Sequence, residues 1–215
     1  MEIDELYQKF FNLTKMREYK SSLEIINNNV NNFSAQEILV KVIAQTLNNI
    51  QTFDEKGYQN VSAFQVLAAA KIASDAIKIL EPFLKKEIKN SIQKKKIIIG
   101  NIFQDYHGLG KEILKVVLQA NGYQVIDLGL NVPASKFVET AIKEGAHWIL
   151  VSAMMYNSAL GIKNIRNELK KRIRKDIKVM CGGAPFNYNS KLYKKLKVDY
   201  MTNNINEILS ILEKK

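Results

Sequence analysis

Short apolar runs alternate with helical patterns through the second half of the chain, and this alternation constrains the fold more than any other feature. The first run, residues 96–102, is rich in branched side chains, which is typical of a strand buried on both faces. Four later runs also precede helical patterns, at 123–128, 148–151, 177–181 and 198–201. Strands that alternate with helices in this way predict one parallel sheet covered by helices.

The first half of the chain carries helical periodicity from residue 4 to about residue 89. Ser34 and Glu37 have the spacing of a capping box and predict the start of a third helix. A predicted turn at 53–57 leads to a long fourth helix from Val61 to about Leu84. Helices joined by short loops predict a four-helix bundle. Because 87–95 is charged and lacks apolar spacing, we expect a helical domain over residues 1–90 and an α/β domain over residues 91–215.

A distinctive loop follows the first predicted strand. It places Asp105 two residues before His107, and Gly110 opens the next helix. A carboxylate that binds one imidazole nitrogen fixes the tautomer and leaves the other nitrogen for a metal. Gly110 would let the helix start lie close to a bound group. An Asp-x-His loop by itself is more often a local hydrogen bond than a metal site, so a metal site is expected here only if other strand ends carry matching residues.

Two other predicted strands also end in unusual residues. Ser152 follows the third apolar run, and Gly182 and Gly183 follow the fourth. In a doubly wound sheet with strand order 2-1-3-4-5, the first, third and fourth strands are neighbours. Their carboxyl ends would then surround one crevice. We therefore expect a flavodoxin-like (Rossmann-like) five-stranded parallel sheet with its site at this edge.

Taken together, these residues resemble a known family. The patterns D-x-H-x-x-G, S-x-L and G-G occur in this order in the cobalamin-binding modules of methionine synthase, methyl-carrying corrinoid proteins and base-off mutases. The resemblance covers the chain from about residue 96 to its end, and it includes the segments 121–129, 132–133 and 182–185. It implies that the second domain binds cobalamin.

The resemblance also implies a role for each matching residue. His107 would be the lower axial cobalt ligand, in place of the cofactor's own nucleotide base. Asp105 would be its hydrogen-bonding partner, and Ser158 would extend this relay. Ser152 and the Gly182-Gly183 pair would line the slot for the displaced nucleotide tail, where backbone without side chains leaves room.

Gly108, Gly110 and Met154 complete the expected cofactor-binding residues. Met154 stands where the family usually has Leu, a swap of similar volume that should be tolerated. Tyr156 stands where a small hydroxyl residue is common. In the helical half, segments 67–69 and 79–84 look like the last helix of the cap domain of methyl-carrying corrinoid proteins.

The function implied by the resemblance is that of a corrinoid methyl carrier. Cobalt would take a methyl group from a donor held by a substrate:corrinoid methyltransferase and pass it to an acceptor held by a corrinoid-dependent methyltransferase. The cofactor would be methylcobalamin or hydroxocobalamin, and a reductive activator would be a further partner. Because no stretch is long enough for a substrate barrel, we expect a carrier component rather than a complete enzyme.

Three alternatives stay open at this point. A cobalamin-dependent sensor would need an output segment, and we expect none beyond the two domains. A small subunit of a cobalamin-dependent mutase shares the same three patterns. A hydrolase could use Ser152 or Ser158 with His107, but neither serine lies in a G-x-S-x-G elbow.

The composition bears on location and on partners. The net charge is +11, but the lysines are scattered and several lie where helices are predicted to end, so we expect no nucleic-acid partner. The acidic start and the lack of a long apolar run argue against a signal peptide and a membrane partner. A single cysteine, Cys181, fits the reducing cytoplasm and is expected to be a small buried strand residue.

Overall fold

The computed structural model describes residues 1–50, 62–88, 95–189, 192–202 and 204–214. The chain separates into two compact units, Met1–Ser91 and Ile92–Lys215. The predicted turn at 53–57 and residues 89–94 of the predicted boundary lie outside the described residues. None of the helices formed by the described residues combines the length and the apolar character that crossing a lipid bilayer requires.

The first unit is helical, as predicted. Its helices are α1 (Ile3–Lys15), α2 (Tyr19–Asn27), α3 (Ala35–Glu37), a π-helical segment (Ile38–Ala44), α4 (Gln45–Ile50) and α5 (Ala63–Ile88). The third predicted helix is thus one continuous segment with a π-helical centre. Ser34 caps it as expected, because its Oγ accepts the Glu37 N–H at 3.1 Å. The last helix passes through Pro82 and ends four residues beyond the predicted Leu84.

The second unit is a five-stranded parallel sheet. Its strands are β1 (Lys96–Asn101), β2 (Gln124–Asp127), β3 (Trp148–Ser152), β4 (Lys178–Gly182) and β5 (Tyr200–Met201). The strand order is β2-β1-β3-β4-β5, and every pair is parallel, which confirms the predicted fold. Apolar clusters lie on both faces of the sheet, which explains why the strands read as continuous apolar runs.

Helices connect the strands and cover the sheet. They are α6 (Leu109–Ala120), α7 (Ala134–Glu144), α8 (Tyr156–Leu160), α9 (Lys163–Lys171), α10 (Ala184–Tyr188), α11 (Leu192–Leu196) and α12 (Ile205–Glu213). The sequence did not predict α8 and α10, because five residues are too few to show a helical period. Pro133 precedes the first turn of α7 in an extended conformation, and Gly145 ends α7 in a left-handed conformation.

Candidate functional site

The buried side-chain amide of Asn101, at the end of β1, binds the loop that follows this strand. The Asn101 side chain is inaccessible to solvent, and its Nδ2 donates to Asp105 Oδ1 at 3.2 Å and to the His107 carbonyl oxygen at 3.0 Å. The backbone of Asn101 pairs with Gly129 and Val132 in the loop after β2. Sequence reasoning missed this residue. The available signal was a polar side chain at the end of an otherwise apolar buried strand.

The Asp105 carboxylate is the centre of the site and is completely buried. Its Oδ1 accepts the His107 N–H at 3.0 Å in addition to Asn101 Nδ2, and its Oδ2 accepts the N–H groups of Met154 at 2.5 Å and Met155 at 3.2 Å. Burial alone would raise the pKa of Asp105, but these four hydrogen bonds hold the pKa below its ordinary value. The anion therefore ties the loop after β1 to the loop after β3.

His107 presents its imidazole to solvent beside this buried anion. The His107 side chain is 56% exposed, and its Nδ1 lies 3.4 Å from Asp105 Oδ1. Across the described part of the chain, no residue forms a hydrogen bond with His107 Nε2. A carboxylate next to Nδ1 favours the tautomer with a proton there, which leaves the Nε2 lone pair available for a metal.

The ligand set around His107 limits which metal groups fit. Among the described residues, no three His, Cys, Asp or Glu side chains are arranged to hold a metal ion. An ion bound by side chains alone normally needs three or four of them. A metal held by His107 would therefore bring its other ligands with it, as an iron ion does in a haem ring. A cobalt ion in a corrin ring meets this requirement.

Large apolar side chains are exposed at the same edge of the sheet. They follow the carboxyl ends of β1, β2 and β3 and are between 40% and 66% exposed: Phe103, Tyr106, Leu130, Met154, Met155 and Tyr156. Soluble proteins rarely expose apolar residues in such groups unless a ligand or partner covers them. The broad face of a corrin ring would suit this surface.

The predicted glycines occupy different surroundings. A Cβ on Gly110 would meet no atom within 4 Å, so this position keeps open space beside the loop. A Cβ on Gly108 would lie 2.9 Å from the flexible end of Leu130. Gly183 has φ +122°, and a Cβ there would lie 1.9 Å from the Ala153 carbonyl oxygen. Gly183 is therefore required for packing, whatever the site binds.

The structure brings the predicted strand ends together. Ser152 at the end of β3 is in register with the last residue of β1 on one side and with Gly182 on the other. Ser158 lies in α8, and its Oγ donates to the Gln104 carbonyl oxygen at 2.9 Å. Within the described structure, Ser158 forms no hydrogen bond with Asp105. Its predicted place in a relay stays a prediction.

A buried ion pair holds α6 in place directly after the loop. Lys111 is almost fully buried, and its Nζ lies 2.6 Å from Asp127 Oδ2 at the end of β2 and 2.6 Å from Glu112 Oε1. Burial would raise the pKa of Asp127, but hydrogen bonds from Lys111, the Gly129 N–H and Lys115 hold it below its ordinary value. The sequence alone did not indicate this pair. The sequence feature that could have indicated it is Lys111 in the first turn of a predicted helix, where the helix dipole disfavours a cation.

These features define a corrinoid-binding module, and the comparison with protein families agrees. A family model described as "B12 binding domain" matches residues 95–207, which is more than half of the chain. The chain belongs to this family, and its cofactor is cobalamin.

Among individual proteins, the chain is similar to corrinoid proteins of Methanosarcina. It is 36% identical to trimethylamine corrinoid protein 1 of Methanosarcina mazei over 121 residues, 56% of each chain. It is 34% identical to dimethylamine corrinoid protein 2 of Methanosarcina acetivorans over 153 residues, 69% of this chain and 68% of that one. The chain thus spans little more than half the length of the first relative.

Solved structures show the same architecture. The monomethylamine corrinoid protein of Methanosarcina barkeri aligns over 100% of both chains with a TM-score of 0.79 and 25% identity. A cobalamin-binding protein from Desulfitobacterium hafniense aligns over 100% of this chain and 98% of that one, with a TM-score of 0.59 and 21% identity. The second likeness concerns the fold alone.

Proposed function

We propose that this protein is a corrinoid methyl carrier in which His107 binds the cobalt of cobalamin in place of the cofactor's own nucleotide base. One observation carries the proposal: a buried Asp105 anion with four hydrogen-bond donors lies 3.4 Å from Nδ1 of an exposed imidazole. When bound, the cobalt would supply the methyl-carrying chemistry. The chain's own residues hold the imidazole in one tautomer and orient it.

The other site residues would shape the space around the cofactor. Gly108 and Gly110 would leave room beside the loop for the corrin ring, and Met154 would contact it with neighbouring apolar side chains. Ser152 and the Gly182-Gly183 pair would line the slot for the nucleotide tail. Support comes from their common position at the carboxyl edge of the sheet, where open α/β sheets bind ligands.

We further propose that the methyl donor is a methylamine and that the enzymes are separate chains. The support is the names of the relatives, which are trimethylamine and dimethylamine corrinoid proteins. The partners would be a methylamine:corrinoid methyltransferase and a corrinoid-dependent acceptor methyltransferase, with a reductive activator to restore oxidised cobalt. We place the protein in the cytoplasm, where the buried, unpaired thiol of Cys181 is stable.

The decisive experiment reconstitutes the purified chain with hydroxocobalamin and with methylcobalamin, removes unbound cofactor and records the visible spectrum. We expect a histidine-ligated spectrum from the wild type and a base-off spectrum from His107→Ala. His147→Ala is the matched control, because His147 is the other histidine of the chain and precedes β3 at the opposite edge of the sheet. It should behave as the wild type does.

Three results would contradict the proposal. If the wild type retains no corrinoid, the proposal loses its basis. A histidine-ligated spectrum in His107→Ala would show that another residue binds the cobalt. In a parallel reconstitution with adenosylcobalamin, retention of that cofactor with exclusion of methylcobalamin would favour a mutase subunit instead of a carrier. The donor is tested by mixing the reduced holoprotein with tri-, di- or monomethylamine and the matching purified methyltransferase. Methylation in none of these mixtures would refute the assignment of a methylamine.

A further inference from the structure

The loop that carries His107 contains a residue in a disfavoured backbone conformation. Gln104 has φ +63°, in the left-handed region, although it bears a Cβ. Residues with a Cβ, apart from asparagine and aspartate, seldom adopt this region unless other contacts favour it. Because Gln104 directly precedes Asp105, its backbone angles determine where the Asp105 carboxylate points.

Two side chains from other segments hold the backbone of Gln104. Its N–H donates to Asn131 Oδ1 at 2.8 Å, and its carbonyl oxygen accepts from Ser158 Oγ at 2.9 Å. Asn131 makes a second contact, because its own N–H donates to the Asp105 carbonyl oxygen at 3.0 Å. The loop after β2 and helix α8 therefore bind the backbone on both sides of the left-handed residue.

We propose that Asn131 and Ser158 are positioning residues that keep Gln104 left-handed and so place Asp105 and His107 before any cofactor binds. Neither acts on the cofactor directly in this arrangement. If Gln104 relaxed to an ordinary backbone conformation, the Asp105 carboxylate would move away from the N–H groups of Met154 and Met155. The part of this inference that concerns cobalt rests on the proposed function, whereas the arrangement of the loop does not.

The first test uses the chain without cofactor and measures amide hydrogen exchange by NMR. Asn131→Ala removes the Oδ1 acceptor and keeps the backbone N–H that donates to Asp105. We therefore expect the His107 and Met154 amides to exchange about two- to tenfold faster, the effect of losing one hydrogen bond that holds the loop closed. The Ile149 amide in the centre of the sheet should be unchanged. Asn164→Ala, at an exposed position, is the matched control.

A rescue variant separates positioning from a general loss of structure. Glycine adopts positive φ without a Cβ clash, so Gln104→Gly should return the exchange rates of Asn131→Ala towards those of the wild type. Unchanged exchange in Asn131→Ala, or no rescue by Gln104→Gly, would overturn the proposal. If Asn131→Ala does not fold, Ser158→Ala with and without Gln104→Gly decides the same question.

The second test repeats these variants with hydroxocobalamin and measures the fraction with a histidine-ligated spectrum. This fraction should fall in Asn131→Ala and recover in the variant that also carries Gln104→Gly. A fall in exchange protection without any fall in this fraction would show that the loop contacts do not position His107. If the wild type itself retains no corrinoid, the proposed function fails, while the exchange data still decide whether Asn131 and Ser158 hold the loop.

Discussion

Gly183 and Gly110 both belong to predicted cofactor motifs, yet a methyl group added to each should have opposite effects on stability. In Gly183→Ala, the new Cβ would lie 1.9 Å from the Ala153 carbonyl oxygen, where ordinary contacts are 3.4–4 Å. The φ of +122° adds backbone strain, which costs about 1–3 kcal/mol for a residue with a Cβ. Forced displacement in a packed region costs about 1–3 kcal/mol more. We expect a total loss of about 2–6 kcal/mol.

Gly110→Ala adds the same methyl group to open space. No atom lies within 4 Å of the added Cβ, and Gly110 is the second residue of α6. Alanine is favoured over glycine in a helix by about 0.5–1 kcal/mol, so the protein without cofactor should become slightly more stable. If the corrin ring lies here, the same variant should retain less corrinoid. Stability and cofactor retention should therefore change in opposite directions.

The assay is urea denaturation of the chain without cofactor, followed by tryptophan fluorescence. Trp148 is the single tryptophan, and it is buried in β3, so it reports on the α/β unit. Unfolding free energies come from linear extrapolation at a shared slope. A Gly183→Ala protein within about 1 kcal/mol of the wild type would refute the packing argument, because neither strain nor overpacking alone costs less. If Gly110→Ala lost as much unfolding free energy as is expected for Gly183→Ala, the conclusion that Gly110 borders open space would be wrong.

Two further predictions concern buried ionisable groups. Burial raises the pKa of the Cys181 thiol to about 12, so the folded chain at pH 8 should react with Ellman's reagent at least about a hundredfold more slowly than the unfolded chain; equal rates would show that the thiol is accessible. Asp127→Asn leaves the buried Lys111 ammonium without its main partner, and we expect a loss of about 2–4 kcal/mol at pH 6 by urea denaturation. The folded pKa of Asp127 lies below its ordinary value of 3.8, so this stabilisation is present above pH 3.8 and is lost as the pH falls through the folded pKa. The difference in unfolding free energy between wild type and variant should therefore shrink in that pH range. A difference that stays constant from pH 6 to the acid limb would contradict this account.

The fold was predictable because its signals are local and repeated. Parallel strands buried on both faces read as apolar runs, and amphipathic helices read as a 3.6-residue period, so the strand order and the site edge followed from general rules. Two short helices were missed because their local signal is weak. Helices α8 and α10 have five residues each, which is less than the length over which a period can be recognised.

The sequence by itself determined the fold class, the edge of the sheet that carries the candidate site, and the residue types that identify a cobalamin module. Only the tertiary structure decided how that site is held. The backbone donors from Met154 and Met155, and the contacts of Asn131 and Ser158 with Gln104, join residues that are 27 to 54 positions apart. The tertiary structure also showed that packing requires Gly183, whereas Gly110 borders open space. Such distinctions depend on which backbone groups meet after folding, and no local pattern in the chain encodes them.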